Sequence, residues 1–295
     1  MPHDFKNNNL KLAVIMTCHN RNQLTLDCLK TLCRQNISFQ VYLVDDGSSD
    51  GTSEAVRKQY SEVKILQGNG NLFWVGGMHL AFAEAMKHDY EYYLWLNDDT
   101  ILESDALEIL LNTQLKLTSQ GHNKSIIVGS VKDPESGKYS YGGRIRSRRK
   151  FSHTFEAVEP TDEPQECDTM QGNIVLIPRS VVEIVGNLEP AFTHQRGDLD
   201  YGLRARKLGC SIFVAPGYLG TCPQNLAIGS WVDMNLSPYQ RLKKALQIKA
   251  FPAKEWAIFT RRHSGRFWFI YWTFPYIRAL IGYKSLNYSP TFKQT

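Results

Sequence analysis

Short apolar runs that break off into polar clusters are what most constrain the fold of this chain. LAVIM (12–16), FQVYLV (39–44), VKIL (63–66) and YYLWL (92–96) read as strands, and unbroken runs of this kind suit parallel strands covered on both faces. Helical patterns separate them. Leu24, Cys28 and Leu32, with Leu29 and Cys33 beside them, recur at helical spacing, and SEAVRKQY (53–60) reads likewise. Such alternation predicts a doubly wound α/β sheet, in which ligands bind beyond the carboxyl ends of the strands. TCHNR (17–21), DDGSSD (45–50) and NDD (97–99) each follow a strand. All three therefore open onto one sheet edge, where a nucleotide-sized ligand can touch them together.

The pattern continues further along. Ser104 is the expected N-cap of a helix carrying Leu107, Leu110 and Leu111, and SIIVGS (125–130), NIVLIP (173–178) and SIFVAP (211–216) read as strands. RSVVEIVG (179–186) and a segment from Asp198 to Leu208 read as helices. Between 131 and 168 Gly, Ser, Arg and Glu break the pattern into hairpins or loops, a common location for substrate contacts.

The NDD cluster raises a question of electrostatics. Asp98 and Asp99 follow an apolar strand, and adjacent carboxylates raise one another's pKa unless a cation or hydrogen-bond donors compensate. A divalent metal is an economical partner. Magnesium or manganese favours oxygen ligands and keeps phosphate oxygens and waters, so one or two carboxylates suffice. DDGSSDGT is explained equally well as an ordinary turn. The chain has no GxxxxGK[ST], and TCHNRNQ stands where a dinucleotide-binding GxGxxG would follow the first strand. Phosphate contacts must come from elsewhere. In GNGNLFWVGGMH (68–79), Gly76 and Gly77 stand just before a helical run and could present amides to a ligand, while Phe73 and Trp74 either pack inward or line the site.

A second acidic cluster lies in HQRGDLDYGLRARKLG (194–209). Asp198 and Asp200 open a helix whose dipole favours anions; either could instead act as a general base that takes a proton from a hydroxyl nucleophile. Arg204 and Arg206 either pair with acids or phosphates or lie solvated. His79 and His194 read as structural hydrogen-bonding residues.

AVIMTCHNR, YLVDDGSSDGT, YLWLNDDT, MQGNIVLIPRSV and GDLDYGLRARKLG, in this order over residues 11–225, resemble the family 2 inverting glycosyltransferases of the GT-A fold. Bacterial enzymes that add a sugar, often rhamnose, to cell-surface polysaccharides are the nearest in character. The resemblance implies that Thr17, Asn20, Arg21, Asp45 and Asp46 line the nucleotide of a nucleoside-diphosphate sugar, with Asp45 or Asp46 reading the base. Asn97-Asp98-Asp99 matches the DXD element, with Asp99 as metal ligand and Asp98 at the ribose or in the metal shell. Asp198 matches the general base, and Asp200 supports it. Three departures stand out: Asn97 begins the DXD, Gly197 replaces the usual acid before the base, and Thr221 or Cys222 stands where relatives place a histidine near the metal.

The expected architecture is therefore a Rossmann-like, doubly wound mixed sheet over 1–235, with a nucleotide half (11–130) and an acceptor half (131–235), and a helical basic-aromatic extension over 236–295. The expected function is inverting transfer of a hexose, dTDP- or UDP-linked, to a hydroxyl of a glycan or lipid-linked glycan, with Mg2+ or Mn2+. A nucleotidyltransferase, or a noncatalytic sugar-nucleotide or polysaccharide binder of the same fold, is the alternative.

Charge is uneven: residues 236–295 hold 11 Lys/Arg and one acid. Seven aromatics crowd positions 267–276, but Pro275 and Arg278 interrupt the run short of a membrane span. Contact with an anionic leaflet and packing on the catalytic domain or a second subunit are both open; no nucleic-acid module accompanies the tail. Six cysteines without a paired spacing suit reduced thiols, and MPHDFKNNNLK lacks an apolar leader core. The expected location is cytoplasmic, and on the membrane-contact alternative it is peripheral at the inner face of the plasma membrane.

Overall fold

A computed structural model describes residues 10–147, 154–224 and 229–282. The N-terminal MPHDFKNNN, read above as leaderless, lies outside them, as do Lys284 and Lys293 of the basic tail. Two compact units divide the chain, 1–224 and 225–295.

In the first unit, β1 (Leu12–Cys18), α1 (Asn22–Leu32), β2 (Gln40–Asp45), α2 (Thr52–Gln59), β3 (Lys64–Gln67), α3 (Phe73–Ala85) and β4 (Tyr92–Leu96) alternate as the apolar runs require. A short β5 (Ile101–Leu102) and α4 (Ala106–Ser119) follow, then β6 (Ser125–Lys132) and its hairpin partner β7 (Tyr139–Tyr141). In the region expected to form hairpins or loops, β8 (Gly143–Arg146) pairs antiparallel with β9 (Phe155–Ala157), while β10 (Gln165–Glu166) pairs with the later strand Ser211–Thr221; β11 (Thr169–Met170), just beyond that region, pairs with β8. The unit closes with β12 (Ile174–Pro178), α5 (Arg179–Val185), α6 (Gly197–Lys207) and β13 (Ser211–Thr221).

The main sheet runs β10-β13-β6-β12-β4-β1-β2-β3, and β11-β8-β9 form a small sheet beside it. β3, β2, β1 and β4 are parallel; β12 is antiparallel to both β4 and β6. This is the mixed, doubly wound sheet that the sequence predicts. Every residue of β1 is buried, as befits a strand with helices over both faces.

Two local expectations are corrected. On α1 the buried stripe is Thr25, Cys28, Leu29 and Leu32; Leu24 is 44% exposed and Cys33 is exposed, because the helix turns the polar but small Thr25 toward the sheet instead. Helix α4 is preceded by Asp105 rather than Ser104, without a side-chain cap.

The second unit holds α7 (Pro238–Ala245), α8 (Ala253–His263) and α9 (Trp268–Ile281). Ser237 and Gln240 form a reciprocal capping box at the start of α7. Arg241, buried, donates through Nε to the Ala279 carbonyl at 2.8 Å and through Nη2 to Leu280 at 3.3 Å. It thereby satisfies carbonyls in the last turn of α9 that no helical partner can reach. None of the described helices is long and apolar enough to cross a membrane.

Candidate active site

Strand pairing brings the polar clusters level. Cys18 lies opposite Asp45, and Asp45 opposite Gln67. β12 runs against β4 with Ile174 opposite Leu96, so Gly172 and Asn173 reach the turn after β4. There the Asn97 N–H donates to the Asn173 carbonyl at 3.1 Å.

Asn20 joins the first two clusters. It adopts φ 51°, a left-handed conformation that Asn tolerates better than most residues. Its N–H donates to Ser48 Oγ at 2.9 Å and its side-chain oxygen accepts from the Ser49 N–H at 2.8 Å. Thr17 is buried under α3, where a Cβ on Gly77 would stand 2.1 Å from Thr17 Oγ1. Gly77 thus serves close packing of α3 on β1. The expectation that Gly76 and Gly77 offer free amides ahead of a helix is corrected: both lie within α3, and the Gly76 N–H is already committed to the Leu72 carbonyl at 3.1 Å.

Asp45 and Asp46 are both buried, but they do different things. Asp45 accepts from the Ser48 N–H at 2.9 Å and from the Ser53 hydroxyl, closing its own turn. Asp46 reaches across to the glycine-rich loop, accepting from the N–H groups of Gly70 (2.8 Å), Leu72 (2.9 Å) and Phe73 (2.9 Å). Those last two amides open α3, so Asp46 satisfies orphan donors at a helix start from a remote position. Of the two, Asp45 has fewer of its acceptor sites occupied.

The cation beside the NDD turn is an arginine of the chain itself. Arg21 Nη1 donates to Asp99 Oδ2 at 2.6 Å and to Asp98 Oδ1 at 3.2 Å. Asp98 is 6% exposed and its Oδ2 has no hydrogen-bond partner; burial pushes its carboxyl up to about 7, with Arg21 opposing and Asp99 adding to the rise. Asp99 Oδ1 accepts from the Cys222 thiol at 3.4 Å, and Asn173 Nδ2 donates to the same sulfur at 3.3 Å. Burial raises the Cys222 thiol pKa, which keeps it a protonated donor rather than a thiolate ligand. Of the two residues proposed for the histidine's place, it is Cys222 that meets Asp99.

Asp198 begins α6, where it accepts from the N–H groups of Leu199 (2.7 Å) and Gly172 (3.1 Å). Burial raises its pKa from the ordinary Asp value, with the Leu199 and Gly172 amides opposing. Asp200 is held by different contacts. It is fully buried and paired with Arg204 at 2.9 Å, and Arg204 continues to the carbonyls of Val185 (2.8 Å) and Asn187 (2.9 Å). Asp200 therefore anchors α6. Arg206 pairs with Glu166 at 2.9 Å, and His79 Nδ1 donates to the Leu188 carbonyl at 2.8 Å.

Trp74 links the two acidic centres. Its Nε1–H donates to Asn97 Oδ1 at 2.8 Å, and its ring lies so close to Gly172 that a Cβ there would stand 2.5 Å from Cζ2. Gly172 is the residue whose amide holds Asp198. In the sequence only one signal separates Trp74 from its neighbour Phe73, the indole N–H, which needs a partner when half-buried. Gly197 is also explained, because a Cβ there would meet Val75 Cγ2 at 2.6 Å. Restoring an acid by Gly197→Asp should lower stability by about 1–3 kcal/mol through this overpacking, seen as a reduced midpoint in thermal unfolding.

The donor set fits a hard divalent cation that takes most of its ligands from phosphate and water. Among the described residues no three His, Cys, Asp or Glu side chains form a metal-binding group. Asp99 and the unpartnered oxygen of Asp98 supply two carboxylates against one guanidinium, which suffices when phosphate oxygens complete the shell.

The sequence profile of the family described as Glycosyl transferase family 2 matches residues 13–183. An uncharacterized protein of Mycobacterium tuberculosis (strain H37Rv) is 28% identical over 149 residues, which is 48% of this chain and 51% of that protein. Poly-beta-1,6-N-acetyl-D-glucosamine synthase of Staphylococcus epidermidis is 22% identical over 192 residues, 59% of this chain and 41% of that one. The chain thus spans about half, or less, of the length of these curated relatives. Among solved structures, a mannosyltransferase of Pyrobaculum calidifontis in complex with GDP-Man and Mn2+ superposes with TM-score 0.56 at 14% identity, covering 95% of this chain and 76% of that one. TarS (1–349) of S. aureus gives 0.54 at 14% identity, covering 92% and 81%. The mixed sheet is that of the GT-A glycosyltransferases.

Proposed function

Because the chain belongs to glycosyl transferase family 2, we propose that it transfers a hexose from a nucleoside-diphosphate donor to a hydroxyl of a glycan or lipid-linked glycan, with inversion, in the synthesis of surface polysaccharide. A dTDP- or UDP-linked sugar such as rhamnose is the proposed donor. One observation carries the reading: Trp74 ties the Asn97–Asp99 turn to the loop that holds Asp198, which in this reading joins the donor side to the base through one side chain.

The clusters after β1, β2 and β4 cradle the nucleotide in this reading, with Asn20 fixing the first two and Asp45 the better placed of the two acids to read the base. Asp198, held by two amides, accepts the acceptor's hydroxyl proton. As it does so the acceptor oxygen bonds to the anomeric carbon, the bond from that carbon to the diphosphate oxygen breaks, and the nucleoside diphosphate departs with the electron pair. A carboxylate with a raised pKa suits this work, being the stronger base. Arg21 holds Asp98 and Asp99 in register and presents positive charge at the donor side. A Mg2+ or Mn2+ ion held by Asp99 and Asp98 would supply further positive charge to the leaving diphosphate.

Incubation with a panel of nucleoside-diphosphate sugars and Mn2+ or Mg2+ tests the reading. Slow release of free nucleoside diphosphate from one donor, suppressed by EDTA, is the expected result. Release of pyrophosphate from a nucleoside triphosphate and a sugar phosphate would instead assign nucleotidyl transfer.

A further inference from the structure

Helix α9 has a buried inward face and an apolar outward one, with Phe269 and Leu280 also exposed on its flank. On the inward face Pro275 and Ala279 are buried, Trp272 Nε1 donates to the Ala253 carbonyl at 2.9 Å, and the Tyr276 hydroxyl donates to the Phe251 carbonyl at 2.9 Å. On the outward face Phe267 (59% exposed), Ile270 (37%), Phe274 (38%), Ile277 (48%) and Ile281 (67%) recur at steps of three and four residues. They form one straight seam along the helix. An apolar seam of this length, left in water, marks an interaction surface.

The charge of the same unit indicates what covers it. Residues 229–282 hold nine Lys/Arg against two acids, Asp233 and Glu255. Lys254, Arg261 and Arg266 are exposed, and Arg266 directly precedes the seam. A second copy of this unit would bring like charge to like charge. Only Phe267 and Phe274 of the five seam residues are aromatic, the other three being isoleucines, so the seam is not a continuous platform on which successive nucleic-acid bases can stack. At 14 residues α9 is about 21 Å long, short of the roughly 30 Å of bilayer hydrocarbon. Its apolar seam and cationic setting are those of a helix that lies in the headgroup plane.

We propose that the seam Phe267–Ile281, together with the exposed Lys254, Arg261 and Arg266 of the same unit, docks the chain on an anionic bilayer surface. The apolar side chains enter the acyl boundary and the cations pair with lipid phosphates. The inference rests on the C-terminal unit alone and stands whether or not sugar transfer is the reaction.

Flotation of the full chain with large unilamellar vesicles tests it, comparing phosphatidylglycerol/phosphatidylcholine mixtures with phosphatidylcholine alone. Binding to the anionic vesicles should be at least about tenfold tighter and should weaken with salt. Phe274→Ser/Ile277→Ser should weaken it by about tenfold or more. Lys254→Gln/Arg261→Gln/Arg266→Gln should weaken it by about a hundredfold. Both variants alter exposed positions, so their thermal unfolding should match the unaltered chain, which separates lost docking from lost folding. Absence of vesicle binding overturns the proposal, as does equal binding to neutral vesicles. So does a dimer seen by light scattering that Phe274→Ser/Ile277→Ser dissociates, since a second copy would then cover the seam.

Discussion

Asp198→Asn should lower the rate of transfer by about 10²- to 10⁴-fold, the usual worth of a general base, and leave donor affinity unchanged. The substitution keeps the shape of the side chain and removes the site that takes the proton. It also turns an amide NH2 toward one of the two N–H donors, of Leu199 or Gly172, and that lost hydrogen bond should cost about 1 kcal/mol of stability. Thermal unfolding separates the two effects. The pH profile provides a third readout. Burial raises the Asp198 pKa, and only the deprotonated carboxylate accepts a proton. In the unaltered protein kcat/KM should therefore fall as pH drops through that raised value, above the ordinary Asp value of about 3.9. The Asn variant should lack this limb. Equal loss of turnover and donor affinity would remove Asp198 from the role of base.

Asp46→Ala should have the largest effect on the fold. The carboxylate is 3% exposed and satisfies three backbone amides, those of Gly70, Leu72 and Phe73. Without it those donors stay in a half-buried loop with no acceptor, at a cost of roughly 3–5 kcal/mol in all. Because that loop leads into α3 and Trp74, activity should fall with stability. Asp46→Asn retains one acceptor oxygen and should lose about half as much. Urea unfolding measures both: the midpoint should drop while the slope is kept, since the surface exposed on unfolding is nearly the same. A midpoint within error of the unaltered protein would show that the three amides find water at no cost.

The strands were legible because the core between two helical layers demands continuous apolar residues, and LAVIM or YYLWL admits few other readings. Edges and faces were less so. On α1 the sequence reads as one apolar stripe through Leu24, and the burial of Thr25 in its place is set by how the helix packs, a tertiary fact. The acids of the NDD turn were found, but their partner Arg21 is 77 positions away and belongs to the first loop; only the parallel pairing of β1 with β4 brings them together. Gly76 and Gly77 misled because a glycine needed for helix–strand contact has the same local signature as one needed for a ligand. The aromatic tail shows the same limit, since its composition is one block and its seam emerges only once α8 fixes which side of α9 faces inward.

The central claim is that the three strand-end clusters form one nucleoside-diphosphate site. Calorimetric titration of UDP, dTDP and GDP into the unaltered chain with Mn2+, and into Asp99→Ala and Asp198→Asn, tests it most directly. The prediction is single-site binding of one of the three, lost in Asp99→Ala and intact in Asp198→Asn. Binding of none of them, or binding indifferent to Asp99, would contradict it.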